Sequence, residues 1–124
     1  MEERKIRQSE EDYLESILLI AESNTVVHRI DVARKMNVSQ PAVNKAMKIL
    51  IEKGYVIEDG KHLLLTPSGV EYAKDVFEKH CVIRDFLLSL GVSKETAEED
   101  ACRLEHAVSK ETFDRIKSIV QNNK

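Results

Sequence analysis

Residues 29–66, RIDVARKMNVSQPAVNKAMKILIEKGYVIEDGKHLLLT, change hydrophobic period once, and that change sets the architecture. A helix is expected from about Arg29 to Met36, burying Ile30, Ala33 and Met36 at helical spacing. Asn37-Val38-Ser39 forms a short turn. Ser39 is the next N-cap, and Pro41 falls in the first helical turn, where a missing N–H is harmless. The following helix, about 40–53, buries Val43, Met47, Leu50 and Ile51 and stops at Gly54. Two short helices across a tight turn make a helix-turn-helix over about 29–53. From 55 to 66 the pattern becomes strand-like: Tyr55-Val56-Ile57 and His62-Leu63-Leu64-Leu65 flank Asp59-Gly60, a short-hairpin turn signal. A hairpin directly after a helix-turn-helix is a wing.

Upstream, Ser9 followed by Glu10, Glu11 and Asp12 reads as a capped helix start, and Leu14, Ile17, Leu18 and Ala21 continue it to about residue 22. Downstream, Thr66-Pro67 opens a helix of about 67–90, ended by Gly91. Ser93 caps another helix, expected through about Val108, with Ala97, Ala101, Leu104 and Val108 as its apolar stripe. Ser109 caps a last one through about Val120, leaving a frayed tail from Gln121 to Lys124. The expected fold is mostly α: a winged helix-turn-helix DNA-binding domain over residues 1–70 and a helical domain over 71–124. Phe113, Ile116 and Val120 form a stripe that fits either a second copy of the chain or the chain's own long helix.

Composition narrows the function classes. The chain of 124 residues is 42% hydrophobic and 5% aromatic, with no Trp, which suits helices packed by Leu, Ile and Val. No apolar run approaches the ~20 residues of a membrane span, and the charged start lacks the apolar stretch of a signal peptide. The two cysteines, Cys81 and Cys102, have no framework spacing and read as free thiols. A cytoplasmic protein is expected. Net charge is -3, but it is unevenly spread. Residues 1–23 carry seven acidic and three basic side chains, whereas residues 24–66 carry seven basic and four acidic ones. Affinity for DNA follows where cations cluster, not whole-chain charge, so a basic middle favours a nucleic-acid partner.

If residues 40–53 enter a major groove, the outward side chains Gln40, Ala42, Asn44, Lys45 and Lys48 meet base edges. Gln and Asn pair with adenine, and Lys reaches guanine or phosphate. Ser39 at the helix N-terminus and Lys61 at the wing tip are candidate phosphate contacts. The same side chains also suit the plain solvated face of a helix; the attached wing and the local basic excess favour the DNA reading.

A second constellation points to a metal. Asp12 and Glu15 lie three apart on helix 1, and Cys102, Glu105 and His106 stand at i, i+3 and i+4. Thiolate, carboxylate and imidazole together form a ligand set for a divalent transition metal, and His80 on the long helix can join them. Each residue has an ordinary alternative: a helix-start carboxylate, an exposed Glu, a structural His, a small buried Cys.

Several linked motifs then resemble one family, the diphtheria toxin repressor and manganese transport regulator family of iron- and manganese-dependent repressors. They are Glu11-Asp12-Tyr13-Leu14-Glu15-Ser16-Ile17, the stretch from Val38 through Leu50, Leu65-Thr66-Pro67-Ser68-Gly69, and Leu104-Glu105-His106 followed by Ser109. The resemblance covers nearly the whole chain. It implies a homodimeric repressor that binds double-stranded operator DNA, with metal joining helix 1 to the dimerisation helices. By position, Asp12, Cys102, Glu105 and His106 would form the principal site, and Glu15 and His80, sharing Glu105, a second. At this length the shorter, manganese-type architecture without the SH3-like domain is expected. The set is a hybrid, since Asp12 matches manganese-type members and Cys102 iron-type ones. Where relatives carry a carboxylate after the His80 position, Ile83 and Arg84 stand here. The resemblance therefore implies one main site for Fe(II) or Mn(II), with Co(II), Ni(II) or Zn(II) accepted in vitro.

Three rivals remain in view, one of them a metal buffer without DNA function, which a charge-reversed Lys45/Lys48 variant would test. A winged-helix regulator could answer an organic ligand or thiol redox, with Cys81 or Cys102 as sensor. A metal-dependent hydrolase is disfavoured, because HExxH and a Gly-rich phosphate loop are both missing, and no enzyme activity is expected.

Overall fold

A computed structural model describes residues 2–24 and 26–122, with side chains from Glu10 onwards. The chain divides into two compact units, Met1–Lys74 and Asp75–Lys124.

The first unit contains α1 (Glu2–Ser23), α2 (Arg29–Met36), α3 (Gln40–Glu52), β1 (Val56–Asp59) and β2 (His62–Leu65). Helix α4 (Pro67–Ser89) opens in it and continues into the second unit. Helix α1 starts at Glu2 rather than Ser9, so Ser9 falls inside a helix instead of capping one; its side chain lies outside the described residues. The run Glu2-Glu3-Arg4-Lys5-Ile6-Arg7-Gln8 is rich in strong helix formers, and no Gly or Pro interrupts it.

Helix α2 opens with His28 N–H donating to Asp31 Oδ2 at 2.9 Å. It ends at Asn37, which is left-handed at φ 56° and returns its own N–H to the Ala33 and Arg34 carbonyls. Ser39 caps α3 by accepting the Ala42 N–H at 3.2 Å. The core joins Leu14 and Ile17 of α1, Val32 and Ala33 of α2, Val43, Met47 and Leu50 of α3, and Val56 and Leu63 of the hairpin. Fully burying one such aliphatic side chain contributes about 1.5–3 kcal/mol. Two expected core residues are instead exposed, Ile30 at 37% and Ile51 at 36%. The eight-residue α2 turns Val32, Ala33 and Met36 inward, and Ile30, two positions before Val32, points about 200° away. On α3 the stripe Val43, Met47, Leu50 fills the inward face, and Ile51 sits at its edge.

The wing is a two-stranded antiparallel hairpin pairing Val56 with Leu65 and Asp59 with His62. Its turn is therefore Gly60-Lys61, one residue later than Asp59-Gly60. Gly60 takes φ 64°, the conformation a tight hairpin needs at its first central position. Val27, before α2, accepts Leu63 N–H at 2.8 Å and ties that loop to the hairpin.

The second unit holds the rest of α4, then α5 (Lys94–Leu104) and α6 (Lys110–Asn122). Ile83, Ala101 and Phe113 form its core with Val82, Leu87 and Val108, so Phe113 packs within its own chain. A Lys117–Glu78 ion pair also ties α6 to α4. Helix α5 stops at Leu104, four residues earlier than expected. Ala107 N and Val108 N both bond to Leu104 O, at 3.0 and 3.1 Å, closing the chain into a turn. Leu104, assigned to the apolar stripe, is 37% exposed at this helix end. Helix α6 includes Gln121 and Asn122, which were expected to fray; Asn123 and Lys124 lie outside the described residues.

Candidate nucleic-acid interface and metal centre

In the first unit, Ser39, Gln40, Asn44, Lys45 and Lys48 are exposed along α3, and Ala42 is half-buried beside its cap. Lys61 is exposed at the wing turn. An open groove of about 390 Å³ runs past the starts of α2 and α3 and the wing, lined by His28, Arg29, Ile30, Gln40, Glu58, Gly60 and Lys61. Composition alone did not single out Arg29 or Glu58. Arg29 Nε and Nη2 hold the two Glu58 oxygens at 2.9 and 2.5 Å, and Nη1 donates to Asn44 Oδ1 at 2.9 Å. The Arg29 guanidinium lowers the Glu58 pKa from its ordinary value. The two partners are 29 positions apart in sequence, so only the folded wing brings them together.

In the second unit, the geometry centres on Glu105, 2% exposed. It is the C-terminal cap residue of α5, still helical in conformation and bonded through its N–H to the Ala101 carbonyl, and His106 follows it in the turn. His106 Nε2 stands 3.2 Å from Glu105 Oε1, and its side chain is 4% exposed. His80 of α4, itself buried, brings Nδ1 to 3.1 Å from Glu105 Oε2 and Nε2 to 2.9 Å from Glu98 Oε2. Cys102 Sγ, on an exposed residue, lies 3.8 Å from His80 Nδ1. Glu98 was not anticipated; it also meets Arg84 Nη1 at 3.4 Å.

Electrostatics explain why a carboxylate tolerates this burial. Desolvation opposes ionisation of Glu105, but His106 and His80 outweigh it and hold the pKa below the ordinary value. In turn the Glu105 carboxylate, with Glu98 behind it and against the effect of burial, raises His80 to about 9. Two imidazoles facing one buried carboxylate, with a thiol beside them, form a nitrogen, oxygen and sulfur donor set that suits a divalent cation. Asp12 and Glu15, both half-buried, stand one turn apart on α1 in the first unit.

A winged helix-turn-helix and a helical unit built around a His–Glu–His cluster define a class: DNA-binding regulators with a metal-binding module. Residues 5–63 match the iron dependent repressor, N-terminal DNA binding domain, and residues 66–124 match the iron dependent repressor, metal binding and dimerisation domain. The chain is 41% identical over 120 residues to an uncharacterised helix-turn-helix transcriptional regulator of Methanocaldococcus jannaschii, covering 94% of this chain and 96% of that protein. It is 36% identical over 118 residues to the transcriptional regulator MntR of Salmonella typhimurium, covering 94% and 75%. Among solved structures, the metal-dependent transcriptional regulator MtsR superposes with a TM-score of 0.85 at 35% identity, and the manganese regulator SloR with 0.81 at 32%. Each superposition covers 90% of this chain and 53% of the other, so the chain spans about half the length of these solved proteins. The chain belongs to the iron-dependent repressor family of metal-dependent transcriptional regulators.

Proposed function

We propose that this chain represses metal-homeostasis genes, binding double-stranded operator DNA as a homodimer with divalent iron or manganese as corepressor. The observation that carries the reading is Glu105, a buried carboxylate flanked by two imidazoles in the region matched by the metal-binding and dimerisation model. In this reading residues 1–70 read DNA and residues 71–124 bind metal and dimerise, in the cytoplasm and without enzymatic activity. No helix of the described residues is long and apolar enough to cross a membrane.

Asp12, Cys102, Glu105 and His106 are assigned as the principal ligands, with Glu15 and His80, sharing Glu105, as a secondary set. A bound ion would supply the positive charge that protonated imidazole provides in its absence. The thiolate of Cys102 favours softer ions, placing Fe(II), Co(II), Ni(II) and Zn(II) ahead of Mn(II) in intrinsic affinity. Ser39 at the N-cap of α3 and Gln40, Ala42, Asn44, Lys45 and Lys48 along it face the DNA, and Lys61 meets the backbone from the wing. Regulation requires that the metal-bound state hold DNA more tightly than the apo state; a coupling of about 1–3 kcal/mol, roughly 5–150-fold, is a working switch.

The test is an operator-binding titration run separately with Mn(II), anaerobic Fe(II), Co(II) and Zn(II), alongside Cys102→Ala and with sedimentation of each sample. The variant is expected to remain folded and dimeric while losing metal-enhanced binding. DNA affinity indifferent to chelator would leave a winged-helix factor answering another signal.

A further inference from the structure

Arg29 is the first residue of α2, yet its guanidinium spans three elements of the first unit. Nε and Nη2 grip both oxygens of Glu58 on β1, while Nη1 reaches Asn44 Oδ1 on α3. A guanidinium has donors only, so the Asn44 atom 2.9 Å from Nη1 has to be the carboxamide oxygen. The Asn44 flip is thereby set by chemistry: its oxygen is turned towards Arg29, and its Nδ2 with two N–H donors is turned away.

Orientation decides what Asn44 can read. Pairing with adenine uses both ends of the carboxamide, the oxygen accepting from N6 and the nitrogen donating to N7. Arg29 takes one Oδ1 lone pair and turns that oxygen towards α2, which leaves the Nδ2 donors as the outward-facing end of the carboxamide. Donors match the acceptor edges of guanine, O6 and N7, or thymine, O4. Glu58 has a second effect. It occupies two edges of the guanidinium and neutralises it, which withdraws Arg29 from direct contact with guanine or phosphate.

Resting on the assignment of α3 as the recognition helix, we propose that Arg29, held by Glu58, is a specificity-determining positioning residue that makes Asn44 a hydrogen-bond donor to guanine or thymine rather than a reader of adenine. The wing therefore contributes to base choice without touching a base.

The experiment is a selection from randomised duplex DNA using the metal-loaded full chain, with Asn44→Ala, Arg29→Ala and Arg29→Lys run in parallel. Thermal unfolding and metal binding are checked for every variant. Asn44→Ala identifies the base position that Asn44 reads, by a preference that falls about tenfold there and nowhere else. At that position the wild-type chain is expected to select guanine or thymine. Arg29→Ala is expected to move the preference towards adenine, because Oδ1 is released. Arg29→Lys keeps the charge and the stem but lacks the planar fork that serves both partners, so it should shift preference the same way. It stands in if Arg29→Ala fails to fold. Adenine chosen by the wild-type chain overturns the proposal, as does an unchanged preference in a folded Arg29 variant or no position-specific loss in Asn44→Ala. Failure of the wild-type chain to enrich any sequence is a different result and refutes the recognition-helix assignment itself.

Discussion

Gly69→Ala is expected to cost about 3 kcal/mol, through space rather than backbone conformation. Gly69 sits in the first turn of α4, where alanine is normally the better residue by about 1 kcal/mol. A Cβ there would lie 2.1 Å from the Tyr55 carbonyl oxygen and 3.0 Å from its carbon. Ordinary contact begins near 3.4 Å, so the two backbones must separate by more than an ångström. Neither is free to move. Tyr55 O accepts Thr66 N–H at 3.0 Å, and Tyr55 N donates to Leu50 O at 3.0 Å. Thr66 Oγ1 bonds Gly54 O at 2.7 Å and accepts Gly69 N–H at 3.1 Å. Loosening two such bonds costs about 1–3 kcal/mol, and overpacking strain adds about 1–3 more. Subtracting the propensity gain leaves the stated figure, a fall in melting temperature of roughly 10–15 °C for a chain of this size. Urea and thermal unfolding of the metal-free protein provide the assay, with Gly60→Ala as comparator. Gly60 is strained by its φ of 64° but has nothing within 4 Å, so about 1–2 kcal/mol is expected there. A Gly69→Ala change below about 0.5 kcal/mol would refute the steric argument.

Metal at one hundred times its dissociation constant is expected to stabilise the fold by about 2.7 kcal/mol, or roughly 10 °C, reversed by chelator; an unchanged melting temperature would count against a folded-state site. The paired Glu58 has a depressed pKa, so its contribution is present above the ordinary carboxylate value of 4.5 and is lost as pH falls through the lower folded value. Glu58→Gln should consequently flatten the acid limb of a stability–pH curve below about pH 4.5, and identical limbs would remove the ion pair from the account.

Local rules reached most of the fold because its signals are local. The Ser39 cap, Pro41 in the first turn and Gly54 at φ 82° bound α3 where short-range chemistry places them. Misplacements arose where a local rule competed with something unseen. Ser9 resembles a cap, but helix-forming residues upstream carry α1 through it. Leu104 and Val108 continue a helical stripe on paper, but closure onto the Leu104 carbonyl ends α5, and Glu105, one turn after buried Ala101, takes the inward place. Of the candidate cluster, Cys102, Glu105 and His106 were legible from spacing, and His80 only as an imidazole on the long helix. Glu98 was not, because its tie to His80 crosses 18 positions and depends on how α4 meets α5.

The same non-local pairing alters how the basic middle segment should be counted. Of its seven cations, Arg29 is engaged by Glu58 and Lys53 by Glu10 at 2.5 Å. Among the described residues, Arg34, Lys35, Lys45, Lys48 and Lys61 carry no ion pair and stay exposed. Each phosphate neutralised steepens the dependence of log affinity on log salt by about 0.9. Five free cations per protomer therefore cap the slope from this segment near about -4.5 per DNA-gripping unit, where seven would allow about -6.3. Operator affinity measured across a salt series checks this, with Lys61→Ala reducing the slope by about 0.9 if the wing tip meets a phosphate. Arg29→Lys should leave the slope unchanged, since that cation is already matched by a carboxylate. A slope loss from Arg29→Lys equal to that from Lys61→Ala would mean that DNA displaces Glu58 and takes Arg29 for itself.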